Sequence, residues 1–261
     1  MVQISGYVGA LLIGMVLGLI GGGGSILTVP VLVYILGYNP VVATAYSLFV
    51  VGTSSLVGTF QKSKKGLVDF KTGLAFSFPS FVAVYITRRY LVPNIPEHLF
   101  SIGTFTVSKD VAIMIFFALI MLLASISMMK NGNSQNTPSS KQSYYKTFIQ
   151  GLIIGTITGV IGAGGGFLYV PALVLWARIS MKKAVGTSLI IITINSLIGF
   201  LGDVQNLDIN WGFLLPFTAI AILGIILGVF LSKSISGQKL KKGFGTFILI
   251  MAIYIIYKEL K

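Results

Sequence analysis

Long apolar runs separated by short polar stretches dominate the chain. Runs of about eighteen or more apolar residues are typical of transmembrane helices. The apolar runs lie at about 7–36, 40–60, 70–87, 111–129, 148–176, 184–201, 209–231 and 244–257. The first and the fifth of these runs are interrupted by glycines. The pattern therefore predicts an all-α polytopic membrane protein with two glycine-broken helices and six transmembrane helices.

The two glycine-interrupted runs are copies of one motif. The first copy spans Gly18–Pro30 and the second spans Gly159–Pro171, at a constant offset of 141 residues, and eight of the thirteen aligned positions are identical. The match continues without a gap to later pairs such as Ser47 and Ser188. A gapless match of this length indicates a duplicated unit. We therefore predict a first membrane repeat over 1–129, a polar linker over 130–146 and a second membrane repeat over 147–261.

The distribution of lysine and arginine distinguishes two topologies. If all eight runs cross the membrane, alternate loops carry 10 and 9 basic residues, and neither side is favoured. If each glycine-interrupted run enters and leaves on one side, the two sides carry 14 and 5, which agrees with the positive-inside rule. Three crossings and one re-entrant hairpin make the second repeat inverted relative to the first. A discontinuous helix that crosses the membrane is the alternative for each broken run.

Inverted repeats with interrupted helices are a recurrent plan of membrane transporters, and their substrate site lies at the repeat interface. Helix N-termini and successive glycine N–H groups favour anions. We therefore predict that the two breaks meet near the middle of the membrane and bind a small anion with the help of nearby hydroxyl and amide side chains. The predicted substrate-binding residues are Gly21, Gly22, Gly23, Gly24, Ser25, Ser47, Gly162, Gly164, Gly165, Gly166, Ser188 and Asn195.

Composition argues against several other kinds of site. The chain has no cysteine, and no Asp, Glu, Lys, Arg or His lies in the middle of an apolar run. No metal ligand set, cofactor or general acid–base group is therefore predicted, and the ionisable group usual in proton-coupled pumps is not visible. Neither glycine run fits a nucleotide-binding loop. The net charge of +13 is explained by the membrane topology rather than by a nucleic-acid partner.

Other glycines have a simpler explanation. Glycines spaced by three residues let membrane helices pack closely. This spacing occurs at Gly14 and Gly18, at Gly151, Gly155 and Gly159, and at Gly224 and Gly228. We predict helix packing for those that lie away from the breaks. For the four-glycine run itself, a kink in one crossing helix is the alternative to a ligand site.

The paired motif resembles that of the sulfite exporter TauE/SafE family of bacterial membrane permeases. Each glycine run ends in Val-Pro, at Pro30 and Pro171, and is followed by Ala-x-x-x-Ser-Leu. The resemblance covers almost the whole chain, and the second copy departs from it at Ala163. It implies that the chain moves small sulfur-containing anions, such as sulfite and organosulfonates, across the cytoplasmic membrane. By resemblance the motif positions are Gly21 to Gly24, Pro30, Ser47, Gly162 to Gly166, Pro171 and Ser188.

Residues and resemblance together predict a multi-pass permease of the bacterial inner membrane that exports a small anion by alternating access, with the lipid bilayer around it. A channel or an importer of the same anions is the first alternative. A membrane-embedded enzyme acting on a lipid or sulfur compound is a second alternative, and a structural membrane subunit is a third. The sequence predicts no oligomeric state.

Overall fold

The computed structural model describes residues 2–91, 94–96, 98–102, 105–130, 144–161, 166–204 and 207–259. Within these ranges there are ten α-helices: α1 (Val2–Ile20), α2 (Gly23–Pro30), α3 (Pro40–Ser63), α4 (Phe70–Ile86), α5 (Lys109–Lys130), α6 (Tyr144–Ile161), α7 (Gly166–Leu175), α8 (Met181–Asp203), α9 (Trp211–Leu231) and α10 (Gly237–Glu259). π-Helical segments continue α2 over Val31–Ile35 and α4 over Thr87–Leu91. Each predicted apolar run therefore contains a helix.

Five of the described helices are long and apolar enough to cross a membrane: Val41–Ser63, Val111–Met129, Met181–Asp203, Trp211–Leu231 and Gly237–Lys258. Large apolar side chains on the outside of the bundle are exposed, including Phe78 at 68%, Leu123 at 64% and Phe230 at 64%. An apolar surface of this extent is stable against lipid and not against water. The chain is therefore a multi-pass membrane protein.

Polar residues in the connections start three of the described helices, α3, α4 and α9. Asn39 accepts a hydrogen bond from Val41 N at 2.9 Å at the start of α3. The Asp69 carboxylate accepts one from Thr72 N at 3.0 Å at the start of α4, and the Asn210 side chain does the same for Phe213 N at 3.2 Å before α9. Side-chain acceptors at this position satisfy N–H groups that the helix leaves unpaired.

The first glycine-broken run is a helical hairpin. The α2 arm returns along α1, because Gly24 lies against Leu17, Val31 lies against Gly9 and Leu36 lies against Gly6. As residue numbers rise along the returning arm, those of its partners in α1 fall. The chain therefore reaches Leu36 at the same end of the bundle at which α1 began. The first arm of the hairpin, α1, has 19 residues.

Glycines spaced by three residues bring helix backbones into contact, as predicted. A Cβ added to Gly14 would lie 2.8 Å from Ile225 N, and one added to Gly18 would lie 2.8 Å from Val229 N, so α1 packs directly on α9. In the same way Gly155 of α6 packs on the backbone of α4, where its added Cβ would lie 2.7 Å from Ser80 Cα.

Helices α3 and α8 cross at the centre of the bundle. Leu48 packs on Gly199, and Leu189 packs on Gly58. Residue numbers therefore rise along α3 as they fall along α8, and the two helices are antiparallel. Ser47 and Ser188, the aligned serines of the two repeats, are both buried in these helices.

Two short strands are present in addition to the predicted helices. The stretch after α4 lies between two predicted apolar runs, and there His98–Ile102 (β1) and Phe105–Ser108 (β2) form an antiparallel pair. This stretch lies outside the long apolar runs, and one short hairpin gives little signal in sequence. Residues 131–143, most of the predicted linker, lie outside the described residues.

Candidate functional site

The first glycine break turns the chain without a side chain in the turn. Gly21 has a φ of +78°, which glycine adopts without steric cost. Its N–H donates to Leu17 O at 2.7 Å and closes the last turn of α1. Helix α2 then begins at Gly23. The reversal between the two arms of the hairpin is thus completed by glycine backbone alone.

The N-termini of α2 and α7 lie against each other. A Cβ added to Gly22, the residue before α2, would lie 2.8 Å from Phe167 Cα and closer still to the carbonyl oxygen of Gly166. Gly166 is the first residue of α7. A helix N-terminus presents N–H donors and a partial positive charge. N–H donors and positive charge are therefore concentrated where the two short helices begin.

Ser188 attaches α8 to the first break. Its hydroxyl lies 2.7 Å from Gly21 O and 2.9 Å from Val185 O, in a fully buried position. A hydroxyl has one hydrogen to donate, and both neighbours are carbonyl acceptors. In this structure Ser188 therefore orients the backbone of the break, and donating to an anion would require release of Gly21.

The other predicted residues are described to different extents. Gly162, Gly164 and Gly165 lie outside the described residues. Only the backbone of Gly23 and Ser25 is described, in the first turn of α2. Gly24 packs on Leu17 and Ser47 is buried in α3. The residues that the structure brings together are Gly21, Gly22, Gly166 and Ser188.

Asn195 belongs to a second polar group, two turns further along α8. Its Nδ2 donates to the Tyr169 hydroxyl at 2.7 Å and to Ser80 Oγ at 3.2 Å. The Ser80 and Tyr169 hydroxyls are 3.3 Å apart. Asn195 Oδ1 is buried and has no hydrogen-bond partner among the described residues. Tyr169 is in the first turn of α7, so this group is close to the meeting point of the breaks.

Sequence reasoning missed Ser80 and Tyr169. The one available signal was that the motif has Tyr169 in the second copy where the first has Thr28. Thr28 donates to Gly24 O at 2.7 Å within its own helix, whereas Tyr169 reaches α4 and α8. The two halves of the candidate site are therefore chemically unequal.

Helix α3 adds unpaired hydroxyl groups. The hydroxyl oxygens of Ser54, Ser55 and Thr59 are buried and have no hydrogen-bond partner among the described residues. A buried polar group without a partner costs about 1–3 kcal/mol. Ser54 is the counterpart of Asn195 at the offset of 141 residues, so each half presents an unsatisfied polar atom at the same position. A polar solute or water molecules at the bundle centre would satisfy these atoms.

The centre of the bundle is neutral. The charged residues of the described helices lie near helix ends, and no group of three or more His, Cys, Asp or Glu lies together in the described part of the chain. The groups at the centre are backbone N–H donors, hydroxyls and one amide. This arrangement can solvate an anion by hydrogen bonds, and the described residues place no Asp, Glu, Lys, Arg or His among these groups.

Replacing Ser188 by alanine is expected to loosen the first break. The variant loses a buried hydrogen bond to Gly21 O, which is worth about 0.5–1.5 kcal/mol. We expect a lower unfolding temperature in detergent and a several-fold slower solute flux. Ser77→Ala is the matched control, because the Ser77 hydroxyl donates at 2.7 Å to Gly73 O of its own helix and so connects no second segment among the described residues. Equal behaviour of the two variants would contradict a role for Ser188 at the break.

A scan against protein-family models matches residues 7–255 to the family described as Sulfite exporter TauE/SafE. The match includes both breaks, α3, α8 and the packing helices. No solved structure matches the chain.

Curated relatives of similar length match along nearly the whole chain. A "Probable membrane transporter protein" of Haemophilus influenzae is 31% identical over 270 residues, which cover 96% of each chain. A protein of the same description from Xylella fastidiosa (strain Temecula1) is 28% identical, with 95% of this chain and 92% of the relative covered. "Probable membrane transporter protein YunE" of Bacillus subtilis is 27% identical, with 94% and 92% covered.

Proposed function

This chain belongs to the sulfite exporter TauE/SafE family, and from that membership and the neutral, donor-rich centre of the bundle we propose that it is a permease for small sulfur oxyanions. The substrates are sulfite or organosulfonate-type anions, and net movement is export across the bacterial cytoplasmic membrane. The observation that supports this most directly is the meeting of two helix N-termini at Gly22 and Gly166.

The proposed mechanism is alternating access between two inverted repeats, 1–129 and 147–261. Support comes from contacts that recur when the repeats are exchanged. Leu48 packs on Gly199 while Leu189 packs on Gly58, and these residues exchange at the offset of 141. Because α3 and α8 run antiparallel at this crossing, the exchange corresponds to a twofold axis across the helices.

Hydrogen bonds at the starts of two helices are related by the same exchange of the two repeats. Thr187 Oγ1 of α8 accepts from Asp69 N, before α4, at 3.0 Å. The Tyr46 hydroxyl of α3 accepts from Asn210 N, before α9, at 2.8 Å. Asp69 and Asn210 are aligned at the offset of 141, as are Tyr46 and Thr187. The same polar contact occurs in both repeats although the residue types differ. This supports the same architecture in the two repeats.

The inverted arrangement predicts a labelling pattern. The chain has no cysteine, so single cysteines report one position each. Cysteines at Ser5 and Asn39 are expected to react with an impermeant reagent from the same side, because α1 and its returning arm form a hairpin. A cysteine at the exposed Ser234 is expected to react from the opposite side. Opposite labelling of Ser5 and Asn39 would exclude the re-entrant topology.

Export follows from charge and membrane potential. An anion that leaves an inside-negative cell gains about 2.3 kcal/mol per charge per 100 mV. Facilitated export therefore requires no coupling residue, in agreement with the neutral bundle centre. Backbone N–H groups at the breaks and the amide of Asn195 would donate to the substrate oxygens, while Ser188 holds the break in place.

The test is flux in proteoliposomes with an imposed potential. We would offer sulfite, sulfate, thiosulfate, a short organosulfonate, acetate and chloride, and expect potential-driven movement of one or two sulfur oxyanions only. Equal movement of all anions would favour a channel, and uptake against the imposed potential would favour an importer. Folded protein without flux of any anion would contradict the permease function. It would favour the alternatives of a membrane-embedded enzyme or a structural subunit.

A further inference from the structure

Four lysines from separate segments lie together at one end of the bundle. Lys62 is in the last turn of α3, and Lys65 is in the turn that follows. Lys182 is in the first turn of α8, and Lys233 follows α9. Lys65 and Lys182 are the charged neighbours of Lys62, and Lys233 is a charged neighbour of Lys65. We call this group the lysine cluster.

Lys62 is the buried member of the lysine cluster. Only 2% of it is exposed, and its Nζ donates to Ser232 Oγ at 3.2 Å. An ammonium group has three donors, and this is the one hydrogen bond that the described residues provide for it. Burial of a charge with a neutral partner is costly unless an opposite charge or further hydrogen bonds compensate.

The described residues provide no opposite charge to compensate the buried ammonium group of Lys62. None of the four lysines is paired there with a carboxylate. Asp69, the closest acidic residue in sequence, is occupied at the start of α4, where it accepts from Thr72 N at 3.0 Å and Thr72 Oγ1 at 2.8 Å. Partial desolvation, followed by repulsion from Lys233, lowers the pKa of Lys65. Because the described residues pair no carboxylate with these lysines, the cluster carries excess positive charge.

The lysine cluster is not a consequence of the duplicated fold. At the offset of 141, Asp203 is the counterpart of Lys62 and Val41 is the counterpart of Lys182. Helix α3 begins with the side-chain cap of Asn39, whereas Ser180, the equivalent residue before α8, provides no side-chain cap. The start of α8, beside Lys182, thus lacks the side-chain acceptor that the start of α3 has. Among the described residues, this combination occurs at this end of the bundle alone.

We propose that the lysine cluster is a binding site for a tetrahedral oxyanion, either the phosphate of an anionic lipid headgroup or a free phosphate-like anion. Several oxygens on one centre match several converging N–H donors. The site is at the end of the bundle, where lipid headgroups and water begin. It is separate from the glycine breaks and does not depend on the proposed transport of sulfur oxyanions.

The experiment measures binding and not transport. Purified protein in a non-ionic detergent is incubated with phosphatidylglycerol or phosphatidylcholine and examined by native mass spectrometry. In a second arm, binding of radiolabelled inorganic phosphate is measured by equilibrium dialysis. The variants are Lys62→Met, Lys182→Met and the control Lys71→Met, which removes an exposed lysine at the start of α4 on the same face.

We expect at least one of the two probes to bind, and Lys62→Met and Lys182→Met to weaken that binding by about tenfold or more. Lys71→Met should stay within about twofold of the unmodified protein. Preference for phosphatidylglycerol over phosphatidylcholine identifies a lipid source, and phosphate binding without that preference identifies a free anion.

Two results would overturn the proposal. The first is that the unmodified protein binds neither probe above the phosphatidylcholine background. The second is that Lys62→Met and Lys182→Met bind like Lys71→Met. If Lys62→Met does not fold, Lys182→Met alone decides, because Lys182 is only half-buried. Gly22→Ala should retain binding at the cluster, so failure of the transport proposal is distinguishable from failure here.

Discussion

Gly22→Ala is expected to abolish or strongly reduce solute flux. The added Cβ would lie 2.8 Å from Phe167 Cα and even closer to Gly166 O, so two backbones would have to separate where the short helices begin. Overpacking of this kind costs about 1–3 kcal/mol. If that cost falls on the substrate-binding geometry, flux at low substrate concentration falls by about 5- to 150-fold. Proteoliposome flux, normalised to folded protein, measures it.

Gly243→Ala is the matched control for Gly22→Ala. Gly243 is an exposed residue of α10, and an added Cβ there meets no atom within 4 Å. Alanine stabilises an open helix position by about 0.8–1 kcal/mol relative to glycine, so flux should be unchanged and the unfolding temperature unchanged or raised. Full flux in Gly22→Ala would show that the contact between the two breaks is not part of the transport site.

Gly14→Leu is expected to have the largest effect on stability. An added Cβ would already lie 2.8 Å from Ile225 N and closer to Ala221 O, and these backbone atoms of α9 cannot rotate away. Separation of α1 from α9 also breaks the contact between Gly14 and Gly224, whose added Cβ would lie 3.1 Å from Gly14 Cα. We expect misassembly, or a loss of about 3 kcal/mol or more of unfolding free energy.

The measurement is denaturant unfolding in detergent, together with the yield of monodisperse protein. Gly243→Leu gives the same change in size at the open position of α10 and should behave like the unmodified chain. A Gly14→Leu protein as stable as Gly243→Leu would show that α1 and α9 do not need backbone contact.

Apolar periodicity and repeated glycines were sufficient to predict every helical run and the packing of Gly14 and Gly18. The hairpin was the favoured alternative because basic residues are distributed unequally, although the sequence did not exclude a crossing helix. Contacts of Val31 and Leu36 with Gly9 and Gly6 identify a hairpin. Counting lysines and arginines indicates on which side of the membrane each loop lies. A hairpin, in contrast, is defined by the contacts between its two arms.

The polar groups were only partly predictable. Asn195 was identified, but Ser80 is 115 residues away from it, and Tyr169 is 26 residues away. Nothing in local sequence relates these three residues. Lys62 was counted as one of many basic residues that orient the chain. Its burial arises because α3, α8 and α9 converge at that end of the bundle, which periodicity does not reveal.

The sequence by itself determined the membrane class, the duplication, the positions of the breaks and the absence of charge from apolar runs. These properties follow from composition and spacing along one chain. Tertiary structure decided that Gly22 meets Gly166, that the Ser188 hydroxyl is bound to Gly21 and that four lysines share one end of the bundle. Such properties depend on segments far apart in sequence, and close packing of helices determines which of their residues become neighbours.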